Sequence, residues 1–265
     1  MNRFKLNLTA LTTFLLLASP TIAIADARYD ALPSEDQIEQ ETIEAAKDAL
    51  NETESLATSI SFAFDYLTTF MSEAHPPDFL THAELKATTA RLDGVRSILV
   101  IDKDGMIRHD AFSFPAPNIN VAERQYFQGA RSASGLILGE GVIGRTSGVP
   151  FVPVSTYKPA LNAVLTAIVD PGKLRRVLER CGRAREACGA AILTNTGKIV
   201  ASSMPEVTIP QEIVDNILGA EDNSGTFVYE RQNFKALVAF RKSERFPIVA
   251  FASHGIASNS VLATQ

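Results

Sequence analysis

The sequence predicts an α+β protein in which a long N-terminal helix precedes two antiparallel-sheet modules. Three observations carry that expectation. The stretch that opens on Ser34 has a helical start signal and a seven-residue apolar period. Two later segments repeat one order of strand, turn, strand, helix and further strands without sharing a sequence. The chain of 265 residues is 46% hydrophobic and 21% charged, which is the make-up of folded rather than disordered protein.

The first residues read as an export signal. "MNRFK" carries two positive charges and no negative ones, and the uncharged run from Leu6 to Ala25 follows it. Ala23 and Ala25 form an A-x-A site that would release the chain at Asp26, with Ala25 and Ala27 as a second site. The run is also long enough to span a bilayer, so an uncleaved anchor is the rival reading, against which Pro20 and the small residues after it speak. Residues 1–25 are therefore expected to be a signal peptide or an anchor, and the protein periplasmic.

The long helix is expected over residues 34–75. Ser34 with Gln37 three residues later makes a capping box, and the pair Pro76, Pro77 ends the pattern. Ile43, Leu50, Ala57, Phe64 and Met71 recur every seven residues, with Ala46, Thr53, Ile60, Leu67 and Ala74 as a companion stripe. Such a seam suits another helix. Its first half, built on Ala and Thr, is expected to be exposed or to form a weak homodimer; its second half, richer in Phe and Leu, is expected to pack on its own domain. The competing reading is that the whole helix covers its own sheets.

A short helix is expected at residues 84–91, and then the period changes to that of strands. Two apolar runs flank Asp102-Lys103-Asp104-Gly105, a hairpin signal. "NVAERQYFQGARSASG" reads as a helix, and "GLILGEGVIGRTSGVPFVPVSTY" and "NAVLTAIVD" supply further strands, with the glycines of "GEGVIG" read as a hairpin turn. "GAAILTNTGKIVASS", the helix "PQEIVDNILGA" and the strands "GTFVYE", "KALVAF" and "PIVAFAS" restate the order. The expected division is a first module at 76–178, a second at 179–255 and a tail at 256–265. Cys181 and Cys188 enclose "GRAREA", and in an oxidising compartment they are expected to pair as a local clasp.

Several function classes are disfavoured. The net charge of -5 and the lack of a Lys/Arg block argue against a nucleic-acid partner; the basic run "KLRRVLERCGRAR" is interleaved with Val177, Leu178 and Glu179, as on a solvated helix face. His75, His82, His109 and His254 stand in no metal spacing, no G-x-S-x-G elbow is present, and "GEGVIG" lacks the lysine of a phosphate loop. No enzyme activity and no cofactor are expected. His109 and Asp110 read as the polar end of a strand, and Arg145 as a loop salt-bridge residue.

The order of the long helix, "LVIDKDGMI", "ERQYFQGA", "GEGVIGRTSGVPFVPVS" and "AVLTAIVDPGKL" resembles the double Cache family, the PAS-like extracytoplasmic sensors of bacterial chemoreceptors, sensor kinases and diguanylate cyclases. The resemblance runs from about Ser34 to Ser253 and is strongest between Ile98 and Leu174. It implies two PAS-like modules, the first membrane-distal and ligand-binding, the second membrane-proximal. It also implies a membrane-bound signalling partner: a receptor of this family would continue past "FPIVAFASHG" into a second membrane helix, whereas this chain stops at Gln265. A periplasmic solute-binding or accessory protein and a truncated receptor ectodomain are the alternatives.

The resemblance implies a site as well. In amino-acid-binding members an Arg-x-aromatic-aromatic element lines the distal pocket and an Asp at the end of a later strand faces it. Arg124, Tyr126 and Phe127 match the first element, and Asp170, which ends "AVLTAIVD", matches the second. A guanidinium holds a carboxylate through parallel hydrogen bonds, while Asp170 would neutralise an ammonium and the aromatic residues would form a wall. Those members also carry a tyrosine where this chain has Ile119, and often a second tyrosine at Phe127, which leaves an amino acid, an organic acid or an amine as the small-molecule ligand. Ser155 and Tyr157 alternate with Val154 and Thr156, offering hydroxyls to the pocket or else facing solvent on an edge strand.

Overall fold

The computed structural model describes residues 34–145, 147–184, 187–231 and 234–256; the expected export signal and the tail from 257 lie outside them. Helix α1 (Glu35–Ala74) begins as the sequence predicts: Ser34 Oγ accepts from the backbone N–H of Gln37 at 3.2 Å, and Gln37 Oε1 accepts from that of Ser34 at 3.1 Å. It ends on His75 in the left-handed region, before the proline pair. Its 40 residues make a rod about 60 Å long. Helix α2 (Asp78–Thr89) starts earlier than expected, directly after Pro77.

The first sheet comprises β1 (Val95–Asp102), β2 (Ile107–Asp110), β3 (Ile137–Leu138), β4 (Val142–Ile143), β5 (Pro150–Lys158) and β6 (Ala163–Val169), with α3 (Gln125–Ser132) between β2 and β3. Its order is β2-β1-β6-β5-β3, with β4 also paired to β5. Helix α4 (Pro171–Ala184) leads to the second sheet, β7 (Cys188–Thr194), β8 (Ile199–Ser202), β9 (Ser224–Arg231), β10 (Phe234–Lys242) and β11 (Ile248–Ile256), with α5 (Gln211–Gly219) between β8 and β9. Its order is β8-β7-β11-β10-β9. Both sheets are antiparallel and place their elements in one order: second, first, last, next-to-last, then the middle strands. The repeat read from the sequence is thus a repeat of topology. The boundary expected at 178/179 falls inside α4, which packs on β5, β7, β8 and α1.

The central strands of each sheet are largely buried on both faces, which is why they read as nearly continuous apolar runs. In the first sheet Ile98, Val100, Val152, Val154, Leu165 and Ala167 join the core that contains α1, while Leu99, Ile101, Phe151 and Val164, one residue out of phase, face α3. In the second sheet Ala190, Ile192, Ala239, Ala250 and Ala252 face α1, and Leu193, Val238, Phe240 and Phe251 face α5.

The seam of α1 is therefore spent inside the chain. Thr42, Ala46, Leu50 and Thr53 are buried, against the expectation of an exposed or dimerising first half. The reason is size: small residues on the helix meet the alanines of β10 and β11, so helix and sheet approach closely. Glu39 accepts from Thr226 Oγ1 at 3.0 Å and Glu54 from Ser243 Oγ at 2.5 Å, tying this half to the second sheet, while Asp65 pairs with Lys158 of the first. The larger Ile60, Phe64 and Leu67 fill the wider gap farther along.

Two glycines mark required backbone geometry. Gly105 closes the β1–β2 turn with φ +85. Gly139 lies where a Cβ would come within 2.8 Å of Pro153 Cγ. Its segment is not the hairpin turn expected from "GEGVIG": β3 and β4 pair in succession with β5, so residues 139–141 bulge out of one interrupted edge strand.

Cys181 and Cys188 form a disulfide that joins the last turn of α4 to the first residue of β7, with Cα atoms 5.3 Å apart. Replacing both by alanine should lower unfolding free energy by roughly 2 to 3 kcal/mol, the chain-entropy value for so short a loop, as read by urea titration. Leu50→Ala should cost about 2 to 5 kcal/mol as a core truncation. An unchanged denaturation midpoint together with altered sedimentation would instead place Leu50 between two copies.

Candidate functional site

A cavity of about 530 Å³ opens on the α3 face of the first sheet, opposite α1. Leu99 of β1, Phe151 of β5 and Ile168 of β6 form its floor; the segment after β2 and the β4–β5 loop form its sides. The volume falls in the range of small-molecule sites.

Arg124 reaches it from the residue preceding α3, in extended conformation with φ -74 and ψ 133. The Arg124 side chain is 28% exposed and its Nε lies 3.3 Å from Glu123. Its terminal nitrogens make no hydrogen bond among the described residues, so a half-buried guanidinium keeps donors free beside the cavity. Tyr126, 6% exposed, lines the wall edge-on to Phe151, with ring centres 6.1 Å apart. Burial, opposed by the neighbouring Arg124, holds its phenol above the ordinary value and thus protonated at neutral pH. Phe127 does not join it. Successive helical residues point about 100° apart, and Phe127 is turned into the core beneath Arg131, whose guanidinium stands 5.7 Å from its ring.

The other expected contacts lie off the cavity. Asp170 sits beyond the end of β6, where Oδ1 accepts from the N–H of Gly172 at 2.9 Å and the carbonyl from that of Lys173 at 2.9 Å. It caps α4, with Pro171 at the first helical position, and the residue of β6 that lines the cavity is Ile168. Ser155 and Tyr157 share the face of Phe151 but lie farther along β5. That strand is internal, not an edge; the Ser155 and Thr166 hydroxyls meet at 3.0 Å across the sheet, and Tyr157 donates to Asn162 at 2.9 Å.

Six further polar residues line the cavity without having been expected there: Arg96, Ser97, Asp110, Ser113, Arg145 and Ser147. A register shift between Val95 and Ser97 makes Arg96 the extra residue of a bulge, so Arg96 and Ser97 both reach the cavity side. Arg96 donates to the carbonyl of Pro150 at the rim. Asp110, only 8% exposed, accepts through Oδ1 from Ser97 Oγ at 2.6 Å and from the N–H of Phe112 at 2.9 Å, which fixes the start of the loop. Arg145 is the salt-bridge residue expected, paired with Glu123 and donating to the carbonyl of Asn120 at 2.9 Å, but it also lines the cavity. Phe112, Ile143 and Val149 stand exposed around the mouth.

A second, more polar cavity of about 410 Å³ lies across the segment 110–117, with His82, Arg108 and His109 in its wall. His82 Nδ1 donates to the carbonyl of Asp110 at 2.9 Å, and burial holds the His109 imidazole below its ordinary value. Among the described residues no group of three His, Cys, Asp or Glu side chains is arranged to hold a metal ion.

Asp170→Ala should remove about 1 kcal/mol of stability in a denaturant titration, the usual value of a lost helix cap, and leave ligand affinity unchanged. A loss of affinity without a loss of stability would return Asp170 to the site.

No family model and no curated protein matches this sequence. Solved structures do. The extracellular domain assigned to the histidine kinase rpHK1S-Z16 is 19% identical, with TM-score 0.60 over 81% of this chain and 95% of that one. The sensory domain of the Campylobacter jejuni chemoreceptor Tlp3, with isoleucine bound, is 12% identical, with TM-score 0.59 over 83% and 93%. The ligand-binding domain of Mlp24 with asparagine is 16% identical, with TM-score 0.57 over 82% and 92%. These likenesses show that this chain has the fold of those domains, a long helix with two antiparallel sheets, consistent with the double Cache resemblance.

Proposed function

We propose that this protein is an extracytoplasmic sensory module that binds a small molecule with an anionic group in the cavity of its first sheet. Arg124 is the observation that carries the reading: a guanidinium at the cavity, paired through Nε with Glu123 but with its terminal nitrogens making no hydrogen bond among the described residues, can hold an anionic group through charge-assisted hydrogen bonds. Tyr126 and Phe151 supply a rigid wall, and Arg96 and Arg145 add positive potential at the mouth. The bound isoleucine and asparagine of the structural neighbours support a ligand of that size. In this reading the first sheet is the membrane-distal module, the second the proximal one, and occupancy is passed to a membrane-bound partner. The coarse part of the proposal, a sensory ligand-binding domain, is what the neighbours have in common.

The test is a thermal-shift screen of residues 26–265 against amino acids, organic acids, amines and purines, run in parallel on Arg124→Ala. A ligand that binds only the folded state raises the melting temperature by mass action. Removing one partner of a desolvated charge contact costs about 2 to 5 kcal/mol, so Arg124→Ala should bind the hit tens to thousands of times more weakly. Equal affinity in the folded variant would put the site elsewhere.

A further inference from the structure

From the inventory of the same cavity, and resting on the reading just given, we infer that its ligand is a carboxylate on an apolar body that carries no cationic group. Three of the residues around the cavity are cations, Arg96, Arg124 and Arg145, and one is an acid, Asp110. The acid is tied down through one oxygen: Asp110 Oδ1 accepts two hydrogen bonds, from Ser97 and from the backbone of Phe112, and the residue is only 8% exposed where the loop begins. Its carboxylate shapes the loop. Arg96 gives one terminal nitrogen to the carbonyl of Pro150, and Arg145 gives both of its own, to the carbonyl of Asn120 and to Glu123, whereas Arg124 keeps both terminal nitrogens without a hydrogen bond among the described residues.

Apart from the hydroxyls of Ser97, Ser113, Ser147 and Tyr126, which are neutral, the rest of the wall is largely hydrocarbon. Ile119, Val121, Ile143, Val149 and Ile168 line the cavity together with Phe151. Ile168 is the decisive residue among them. It is the last cavity-facing position of β6, and the aspartate two residues later is turned away to cap α4. A ligand ammonium would be set against these side chains and would lose its water without a partner, which is the costliest arrangement for a charge. A body of methylene groups or an aromatic ring would instead bury apolar area against apolar area. Ile168 is thus a specificity-determining residue: it excludes α-amino acids and amines in favour of the acids of the same skeleton.

Calorimetric titration of residues 26–265 with matched triplets tests this: 3-phenylpropanoate, L-phenylalanine and 2-phenylethylamine, then 4-methylpentanoate, L-leucine and 3-methylbutylamine. In at least one triplet the acid should bind at least about tenfold more tightly than the amino acid and at least about a hundredfold more tightly than the amine. Ile168→Asp should lower the ratio of acid to amine affinity at least about tenfold, with Ile168→Val, which keeps the wall apolar, retaining the ratio. Failure of both acids to bind, tighter binding of an amino acid or amine in wild type, or a ratio indifferent to Ile168→Asp in a folded protein overturns the inference. Arg124→Ala separates the two levels. If an amino acid or amine binds and Arg124→Ala abolishes it, the cavity is right and the ligand class is wrong; if binding is indifferent to Arg124→Ala, the cavity itself is wrong.

Discussion

The burial of one face of α1 against both sheets is the interaction on which the rest of the structure depends. A single helix about 60 Å long packs on the inner face of each sheet, with small residues where the alanines of β10 and β11 face it, with Ile60, Phe64 and Leu67 farther along, and with α2 beside it on β1 and β2. With that face closed in both modules, what differs is the other face. In the second sheet α5 lies across it with Ile213, Val214 and Ile217 buried. In the first sheet α3 packs mainly on β3 and β5 and leaves the start of β1 and the end of β6 open, and there the cavity forms. One topology, used twice, therefore gives a packed module and a hollow one.

The chemistry of the hollow one comes from local departures from regular structure. The β1 bulge turns Arg96 toward the cavity, Asp110 holds the loop that forms one side, and the bulge at residues 139–141 carries the edge past Pro153 toward the β4–β5 loop that forms the other. These groups are held in place before any ligand arrives, so binding does not have to order them. Two links connect this end of β1 to α4: the backbone N–H of Asp170 donates to the carbonyl of Gly94 at 2.8 Å, and Asp93 pairs with Lys173, whose proximity holds the aspartate carboxyl below its ordinary value. Helix α4 in turn packs on β7 and is joined to it by the disulfide. The strand ends beside the cavity are thereby linked to the second sheet through one short helix.

How much of this was legible in the sequence follows from what each signal measures. The cap at Ser34, the seven-residue stripe, the Asp102–Gly105 turn and the strand periods are local, and the structure has them where the residues place them. The stripe says that small residues share a face but not what covers it, so Ala46 and Thr53 suited a weak dimer as well as a sheet of alanines. Asp170 stands before Pro171 and Gly172, a helix-start signal that outweighs its position at a strand end. Tyr126 and Phe127 are adjacent, and adjacency on a helix separates side chains. The places of Arg96 and Asp110 at the cavity could not be read: one needs a bulge to turn it, and the other, legible only as the polar end of a strand, needs the β1–β2 register to bring Ser97 within reach.

The central claim is that occupancy is read on the outer face of the first sheet and not on the second. Hydrogen exchange of residues 26–265, with and without the compound that most raises the melting temperature, measures it directly. The account predicts slowed exchange in residues 110–119, at the start of α3 and in residues 143–149, with α5 and β9 unchanged. Protection confined to residues 211–231, with the first sheet unaffected, would contradict it.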